Sequence, residues 1–568
     1  MNTPPLVACR RLAGDRPARI LLKTSAGMYL AVLLLCHPAA AGTISPDLRA
    51  RLDTLDDGAQ TTAIIALEEQ ADLASLHRAL RVSRAGRAER HLRVVQALQA
   101  AAAGSQPAFL AAVDALAARS EISGRTPYWI SNLVVVRGTR QAIETLAARP
   151  DVAMAEANFR ARPVRPPESA VVRTPRGGGG PTPPDSAGNP PGLEQSAEGA
   201  RGRVTPGLRA IRADRVWHEL GVNGNGVIVA TMDTGVDGGH PALRDRWRGA
   251  TGHAASESWL DVQGTTQFPH DPHGHGTHVT GTVTGLGTST GDTIGVAWGA
   301  EWIACNPLGQ YSGIEFDNDI IRCFQWLADP DGDPATVDDV PVVVQNSWKI
   351  DPDYPSVPPY TPCDSRWWNV IDACEAAGCV VIFSAGNDGP SPQSLGSPSD
   401  RASTPYNVCS IGAVDATHSN WPYPIASWSS RGPSACDAPP AWRIKPEIVA
   451  PGVDVYSSVP GGGYEQTDWS GTSMAGPHVA GVVGLMLAAA PDMDAETAKA
   501  ILLETARDEG PAGDDNAYGH GFVDAYAAVA RCLSGWGTVE GTVANGTDGG
   551  APVSGATVRL LEIDRRIM

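Results

Sequence analysis

Apolar positions fall into two rhythms along the chain. Between residues 204 and 532, short continuous apolar runs recur at 226–232, 342–344, 379–383 and 408–414, separated by stretches with helical spacing. Runs without polar alternation suit strands buried on both faces. This region therefore reads as an α/β fold, a mostly parallel sheet flanked by helices. Residues 42–162 carry a shorter pattern. A strand is predicted over 62–67, helical periodicity over 71–120 with a break near Gly104, a strand over 129–136, and a helix over 140–148 stopped by Pro150. That order predicts a small α+β domain with helices on one face of a compact sheet. No internal repeat is apparent.

Punctuation divides the chain further. Residues 163–203 contain the run Gly177–Gly180, several prolines and few large apolar groups, which predicts a flexible linker exposed to proteolysis. Residues 533–568 switch to Gly/Thr/Val alternation with a turn near 545–550, the start of a β-rich segment. At the other end, Arg10, Arg11, Arg16, Arg19 and Lys23 precede an apolar run over 28–35 and then Ala39-Ala40-Ala41. Positive charge, apolar run and small-residue site predict a secretory signal peptide over 1–41, cut after Ala41. The run is too short for a membrane span of about 20 residues, and no other stretch reads as long and apolar enough. Cys36 as a lipid-anchor site and Arg10-Arg11 as a twin-arginine signal are weaker readings, because Leu35 and the surroundings of the pair do not fit them.

Composition narrows the function classes. The chain has 568 residues, 42% hydrophobic and 19% charged, so it supplies a sizeable core and is not globally disordered. A formal net charge of -18 argues against nucleic acid as the main partner, since phosphate binding needs a basic footprint. Of 10 cysteines, Cys9 and Cys36 fall in the predicted leader. The remaining Cys305, Cys323, Cys363, Cys374, Cys379, Cys409, Cys436 and Cys532 are even in number, as in a disulfide-bonded exported protein, with several buried thiols as the alternative. No Cys-x-x-Cys pair supports a zinc ribbon.

Three short motifs carry candidate chemistry. Residues 227–232 form an apolar strand ending in Asp233-Thr234-Gly235, which sets a carboxylate at the carboxyl edge of a parallel sheet, where such folds place ligands. Alone it reads equally well as a strand-end turn. His275-Gly276-Thr277-His278-Val279-Thr280-Gly281 opens a helical stretch. With His270 and His273 it invites a metal reading, but the His-Glu-x-x-His pattern is absent, so no metal site is assigned. Gly471-Thr472-Ser473-Met474-Ala475-Gly476-Pro477-His478 leads into an apolar helix. A serine there lies near free backbone N–H groups and the positive end of the helix dipole, and its plain reading is an N-cap.

The order Asp, His, Ser separates this set from the other two common orders of the same three residues. These three segments resemble the signatures of the subtilisin (subtilase) family over residues 205–532. Trp302-Ile303-Ala304-Cys305, Asn346-Ser347-Trp348 and Ser429-Ser430-Arg431-Gly432-Pro433 are similar to its bacillopeptidase F-like branch. The resemblance implies a secreted serine endopeptidase made as a zymogen. Ser473 would be the nucleophile, His275 the general base and acid, and Asp233 its orienting carboxylate. Asn387, in Ser384-Ala385-Gly386-Asn387, would donate to the oxyanion. Gly309, Gln310, Ser347 and Trp348 resemble the two segments that pair with an extended peptide. Departures from the family pattern are Lys349 and Gly476, where Gly and Ala are usual, and Trp298, where Pro is frequent. Lys349 is expected to narrow or recolour the primary cleft, Gly476 to have little effect.

Further expectations follow from the resemblance. Residues 42–162 would be the propeptide, an inhibitor and folding aid, with the processing bond in the linker. The tail from Trp536 resembles the start of a carboxypeptidase-regulatory-like domain. Substrates would be proteins or peptides, with no nucleic acid, no membrane after leader removal, a monomeric state and an extracellular location. Catalysis would need no cofactor, while structural calcium stays open. Asp329, Asp331, Asp333, Asp338 and Asp339 form an acidic stretch, but Pro334 and Val340 stand where an EF-hand needs Gly and Glu, so it reads as a solvated insertion loop. Asn545-Gly546-Thr547 reads as a turn, not a glycosylated site. Two other classes compete: a non-catalytic scaffold, against which all four chemical residues speak, and another serine acyl hydrolase such as an esterase, which would need a Gly-x-Ser-x-Gly elbow that Gly471-Thr472-Ser473-Met474-Ala475 does not provide.

Overall fold

The computed structural model describes residues 42–158, 204–287, 292–308, 316–350, 362–406, 408–417 and 421–534, with backbone alone for 19–23, 29–33, 161–163 and 316–317. The chain forms two compact units, residues 1–71 with 97–158, and residues 72–96 with 159–568. In the predicted leader, Arg19–Lys23 and Tyr29–Leu33 pair as antiparallel strands. The linker over 164–203 and the tail from 535 lie outside the described residues.

The first unit holds a five-stranded sheet of β1 (Thr43–Ile44), β2 (Gln60–Leu67), β3 (Ile122–Tyr128), β4 (Leu133–Thr139) and β5 (Val152–Ala157), in the order β1-β5-β2-β4-β3. Strand β3 carries no continuous apolar run and is exposed at all but its end residues, which hid it from pattern reading, and β5 has only the short Ala-rich run 152–155. The unit's helices are α1 (Pro46–Asp53) and α4 (Arg140–Ala147), with the part of α3 (Arg87–Ala117) from residue 97 onward, while α2 (Leu73–Val82) and the start of α3 are counted with the second unit. The expected break near Gly104 does not occur. Helix α3 runs through Gly104 and Pro107, and the break falls instead between Val82 and Arg87, where Arg84 takes φ 54. Val94, Leu98, Ala101, Ala102, Phe109, Val113 and Leu116 are buried along α3 at helical spacing. That burial, at roughly 1.5–3 kcal/mol per large side chain, outweighs the ~3 kcal/mol cost of an internal proline.

In the second unit, β6 (Ala161–Pro163) precedes a seven-stranded sheet. The sheet contains β7 (Ile228–Met232), β8 (Trp259–Leu260), β9 (Glu301–Cys305), β10 (Val343–Asn346), β12 (Val380–Ser384), β13 (Cys409–Val414) and β14 (Ile448–Pro451), in the order β8-β9-β7-β10-β12-β13-β14. Every neighbouring pair is parallel. The short strand β11 (Trp348–Ile350) leaves the sheet just after β10 and pairs antiparallel with β6. Helices α5 (His275–Thr284), α6 (Phe316–Ala328), α7 (Trp368–Ala377), α8 (Thr472–Ala489), α9 (Ala495–Thr505) and α10 (Ala525–Leu533) complete the unit. The parallel α/β reading of the sequence is the architecture observed.

Helix α8 packs against β10, β12, β13 and β14 and runs through the core with Val479, Val482, Val483, Leu485 and Met486 fully buried. It corrects one expectation. Among the described residues it is long and apolar enough to cross a membrane, yet 89% of it is buried inside the fold. A helix surrounded by protein on every side has no polar face and passes the same hydropathy test as a spanning one.

Two other expectations are corrected. Cys363 and Cys436 form a disulfide, while Cys305, Cys323, Cys374, Cys379, Cys409 and Cys532 are buried free thiols. Those six sit on or beside sheet strands and core helices, where a cysteine packs as a small apolar residue. The acidic stretch is not uniformly solvated either. Asp331, Asp333 and Asp338 are exposed, but Asp329 and Asp339, where the loop leaves α6 and turns back toward β10, are buried.

Candidate active site

Strand β7 ends one residue before Asp233, whose N–H donates to the Cys305 carbonyl at 3.1 Å. Helix α5 begins with His275. Its Nδ1 lies 2.7 Å from Asp233 Oδ1, and both residues are about 1% exposed. The same oxygen accepts from the Thr234 N–H at 2.7 Å. These contacts fix the imidazole with Nδ1 turned inward. Nε2 is buried and takes part in no hydrogen bond.

Glycine at 276 is what lets α5 come this close. A Cβ on Gly276 would meet the Gly235 carbonyl at 2.1 Å and Asp233 Cβ at 3.0 Å. Sequence reading missed the residue that locks the junction. Asp271 accepts from the backbone N–H groups of His273, Gly274 and Thr277 and from the Thr277 hydroxyl, at 2.7–3.0 Å. It also accepts from the Thr234 hydroxyl, which in turn accepts from the Gly276 N–H. An aspartate four residues before a helix is a legible cap signal, but its bond to Thr234 is tertiary.

Burial alone would lower the His275 pKa. The Asp233 charge and hydrogen bond outweigh it, and the net shift is upward. The neighbouring histidines differ. His278 Nε2–H donates to the Val455 carbonyl at 2.9 Å, the ring stacks on Trp469 at 4.2 Å, and burial pushes its pKa down to about 3. His478 is pushed by burial to about 4. Both stay neutral at ordinary pH. His270 contacts the Thr266 hydroxyl at 3.2 Å, so His270, His275 and His278 each have a separate partner.

Ser473 is the second residue of α8 and is fully buried. Val279, one turn beyond His275, shares an apolar cluster with Met474, next to Ser473. Asn387 lies on the loop after β12. Its Oδ1 accepts from the Thr472 N–H and hydroxyl, both at 2.9 Å, which turns Nδ2 outward. A Cβ on Gly471 would lie 3.2 Å from Asn387 Nδ2 and 3.6 Å from the Ser473 backbone nitrogen. Two N–H donors therefore border one small volume that a larger side chain at 471 would fill. The structure brings Asp233 to His275 and Asn387 to the start of α8. No hydrogen bond joins Ser473 to Nε2, a gap familiar in substrate-free sites.

Pro477 stands four residues after Ser473, so the usual i+4 N–H is missing at the Ser473 carbonyl. The Ser347 hydroxyl donates to it instead, at 3.3 Å. Gln345 Nε2 donates to the Ser347 hydroxyl at 3.0 Å. Ser347 is thus a buried brace. The Trp348 ring is also buried, edge-on to Trp367 and Phe383, and only its backbone faces a strand partner. Gly309 and Gln310 lie outside the described residues. Lys349 turns toward Asp388 and forms an ion pair with it beside Asn387. Gly476 is not a neutral departure. A Cβ there would approach Gln345 Nε2 at 2.4 Å, because the Gln345 amide occupies that space.

The subtilase family profile matches residues 224–521. Bacillopeptidase F of Bacillus subtilis (strain 168) is 37% identical over 357 residues, 60% of this chain and 23% of that protein. Subtilisin DY of Bacillus licheniformis is 32% identical over 328 residues, 57% of this chain and 98% of that protein. Serine protease AprX of Bacillus subtilis (strain 168) is 31% identical over 324 residues, 54% and 67% of the two chains. The chain thus spans less than a quarter of the first relative and nearly all of the second. The parallel sheet, the signature segments at its carboxyl edge and these similarities agree: the chain belongs to the subtilase family, peptidase family S8.

Proposed function

We propose that the chain is a secreted serine endopeptidase, made as a zymogen, that cleaves peptide bonds through Asp233, His275 and Ser473. The observation that carries the reading is the buried 2.7 Å contact between His275 Nδ1 and Asp233, which leaves Nε2 as the unclaimed ring nitrogen. A serine hydroxyl is a weak nucleophile near neutral pH and needs an adjacent base. His275 Nε2 takes the Ser473 proton as Oγ attacks the peptide carbonyl, and Asp233 stabilises the imidazolium. Asn387 Nδ2 and the Ser473 N–H stabilise the oxyanion. The imidazolium then protonates the leaving amine. Water, activated by the same nitrogen, hydrolyses the acyl-enzyme. Each proton moves between groups of this chain and the substrate.

The backbone of β11 would pair with an extended substrate. Its antiparallel pairing with β6, Trp348 opposite Pro163 and Ile350 opposite Ala161, supports that use. Residues 161–163 sit at the end of the proposed propeptide, 42–162, and would block the strand until the chain is cut. The Cys363–Cys436 bridge favours an oxidising, extracellular compartment after removal of 1–41. The working form would be a monomer acting on proteins or peptides. A fluorophosphonate probe on the full chain tests the reading. Labelling at Ser473 that vanishes in Ser473→Ala, together with self-cleavage, is expected. Labelling that persists in the variant overturns it.

A further inference from the structure

The loop between α6 and β10 reads Asp329-Pro330-Asp331-Gly332-Asp333-Pro334 and returns through Asp338-Asp339. Carboxylate oxygens of Asp329, Asp331 and Asp339 lie within 4.8 Å of one another. That is the span available to oxygens about 2.4 Å from a shared ion. Acidic surface loops often bring carboxylates together, and proximity alone would mean little.

Burial makes this group different. Asp329 is 6% exposed and Asp339 2%. Among the described residues both oxygens of Asp329 and Oδ1 of Asp339 are buried and make no well-formed hydrogen bond, the Gly332 N–H giving Asp329 only a weak one. The loop satisfies only the remaining atoms. Asp339 Oδ2 accepts from the Asp331 N–H at 2.9 Å, and Asp331 accepts from the Asp333 N–H and the Thr336 hydroxyl, both at 2.7 Å. These bonds hold the carboxylates in place, and the Asp329 oxygen in the cluster, whichever of the two it is, is among those that lack a well-formed hydrogen bond. Among the described residues neither Asp329 nor Asp339 forms an ion pair, and the Arg248 charge acts on Asp339 only from a distance. The nearby Arg248 pairs with Glu301 and Asp338. Arg87, also nearby, donates to the Val340 carbonyl. An unpaired buried carboxylate either takes a proton or finds a cation.

We propose that Asp329, Asp331 and Asp339 bind one Ca²⁺ ion that ties the end of α6 to the strand β10. All three donors are carboxylate oxygens, with no imidazole or thiolate, which selects a hard cation over zinc or copper. Ca²⁺ accepts about six to eight oxygens in an adaptable shell, whereas Mg²⁺ demands a near-ideal octahedron and keeps its water. The loop precedes β10, and Asn346 and Ser347 lie at that strand's other end, so the ion acts on stability and not on the chemistry of Ser473. The inference does not rest on the proposed peptidase activity.

The test uses the full chain carrying Ser473→Ala, to prevent self-digestion, stripped with chelator and titrated with Ca²⁺, with Tb³⁺ luminescence as a second readout. Ca²⁺ should raise Tm in this parent. Asp331→Asn, an exposed substitution that folding tolerates, should weaken Ca²⁺ affinity at this site at least about tenfold. Asp329→Asn should abolish one equivalent of bound Ca²⁺, and should raise Tm of the metal-free protein by removing the unpaired charge. Equal Ca²⁺ equivalents and equal Tm shifts in parent and variants would overturn the proposal. Mg²⁺ binding as tight as Ca²⁺ would overturn the choice of ion.

Discussion

Asp233 and Asp329 are the same residue type at nearly the same depth, on opposite sides of one sheet. Asp233 closes β7 at the carboxyl edge and holds the Thr234 N–H and an imidazole on one oxygen. Asp329 lies in the loop that feeds the amino end of β10, with no well-formed hydrogen bond to either oxygen among the described residues and other carboxylates beside it. Depth alone therefore does not decide what a carboxylate does. The Asp233 charge and hydrogen bond raise His275 against its burial, whereas burial and then the charges of Asp331, Asp339 and Asp333 raise Asp329. The first arrangement is the one proposed to move protons, and the second the one proposed to hold a cation.

Substitutions can break this contrast at its strongest point first. Ser473→Ala should reduce peptide turnover about 10⁶-fold, on the scale known for a subtilisin, with Tm little changed. Asp233→Asn should cost about 10⁴-fold in kcat while the fold survives, because the amide favours the wrong His275 tautomer. If Asp233→Asn retained full turnover, the two aspartates would be equivalent and the contrast would fail. Asn387→Ala should lower kcat about 10²–10³-fold with KM nearly unchanged, as loss of one oxyanion donor does. Gly276→Ala should destabilise the fold by about 1–3 kcal/mol, since its Cβ would strike the Gly235 carbonyl, and a denaturant midpoint would show it. The mildest effect is in the pH profile. His275 must be neutral to act as a base, so kcat/KM should rise with pH through a midpoint above the ordinary 6.5. A midpoint below 6.5 would mean that burial, not Asp233, controls the ring.

Much of the site was legible in the sequence because its residues stand at element junctions. Asp233 follows an apolar strand, His275 and Ser473 start helices beside glycines, and Asn387 follows another buried strand. Each junction leaves a local mark of Gly, Thr or Ser. Residues that act across the fold left none. Ser347 was read as a substrate contact because its segment resembled one, yet its hydroxyl reaches the Ser473 carbonyl 126 positions away. Gly476 looked neutral until the Gln345 amide appeared beside it. Asp329 and Asp339 looked solvated because the residues between them are. In the fold, strand β8 has two residues and was too short for any period, while α3 overrode Gly104 and Pro107 by packing.

Pro477 has one further effect on the molecule's mechanics. By severing the ladder at the Ser473 carbonyl, it uncouples the nucleophile's peptide group from the long core helix and hands it to a serine at the end of a neighbouring strand. A shift of Ser473 on acylation would then pass through Ser347 and Gln345 toward β10, and not only along the axis of α8.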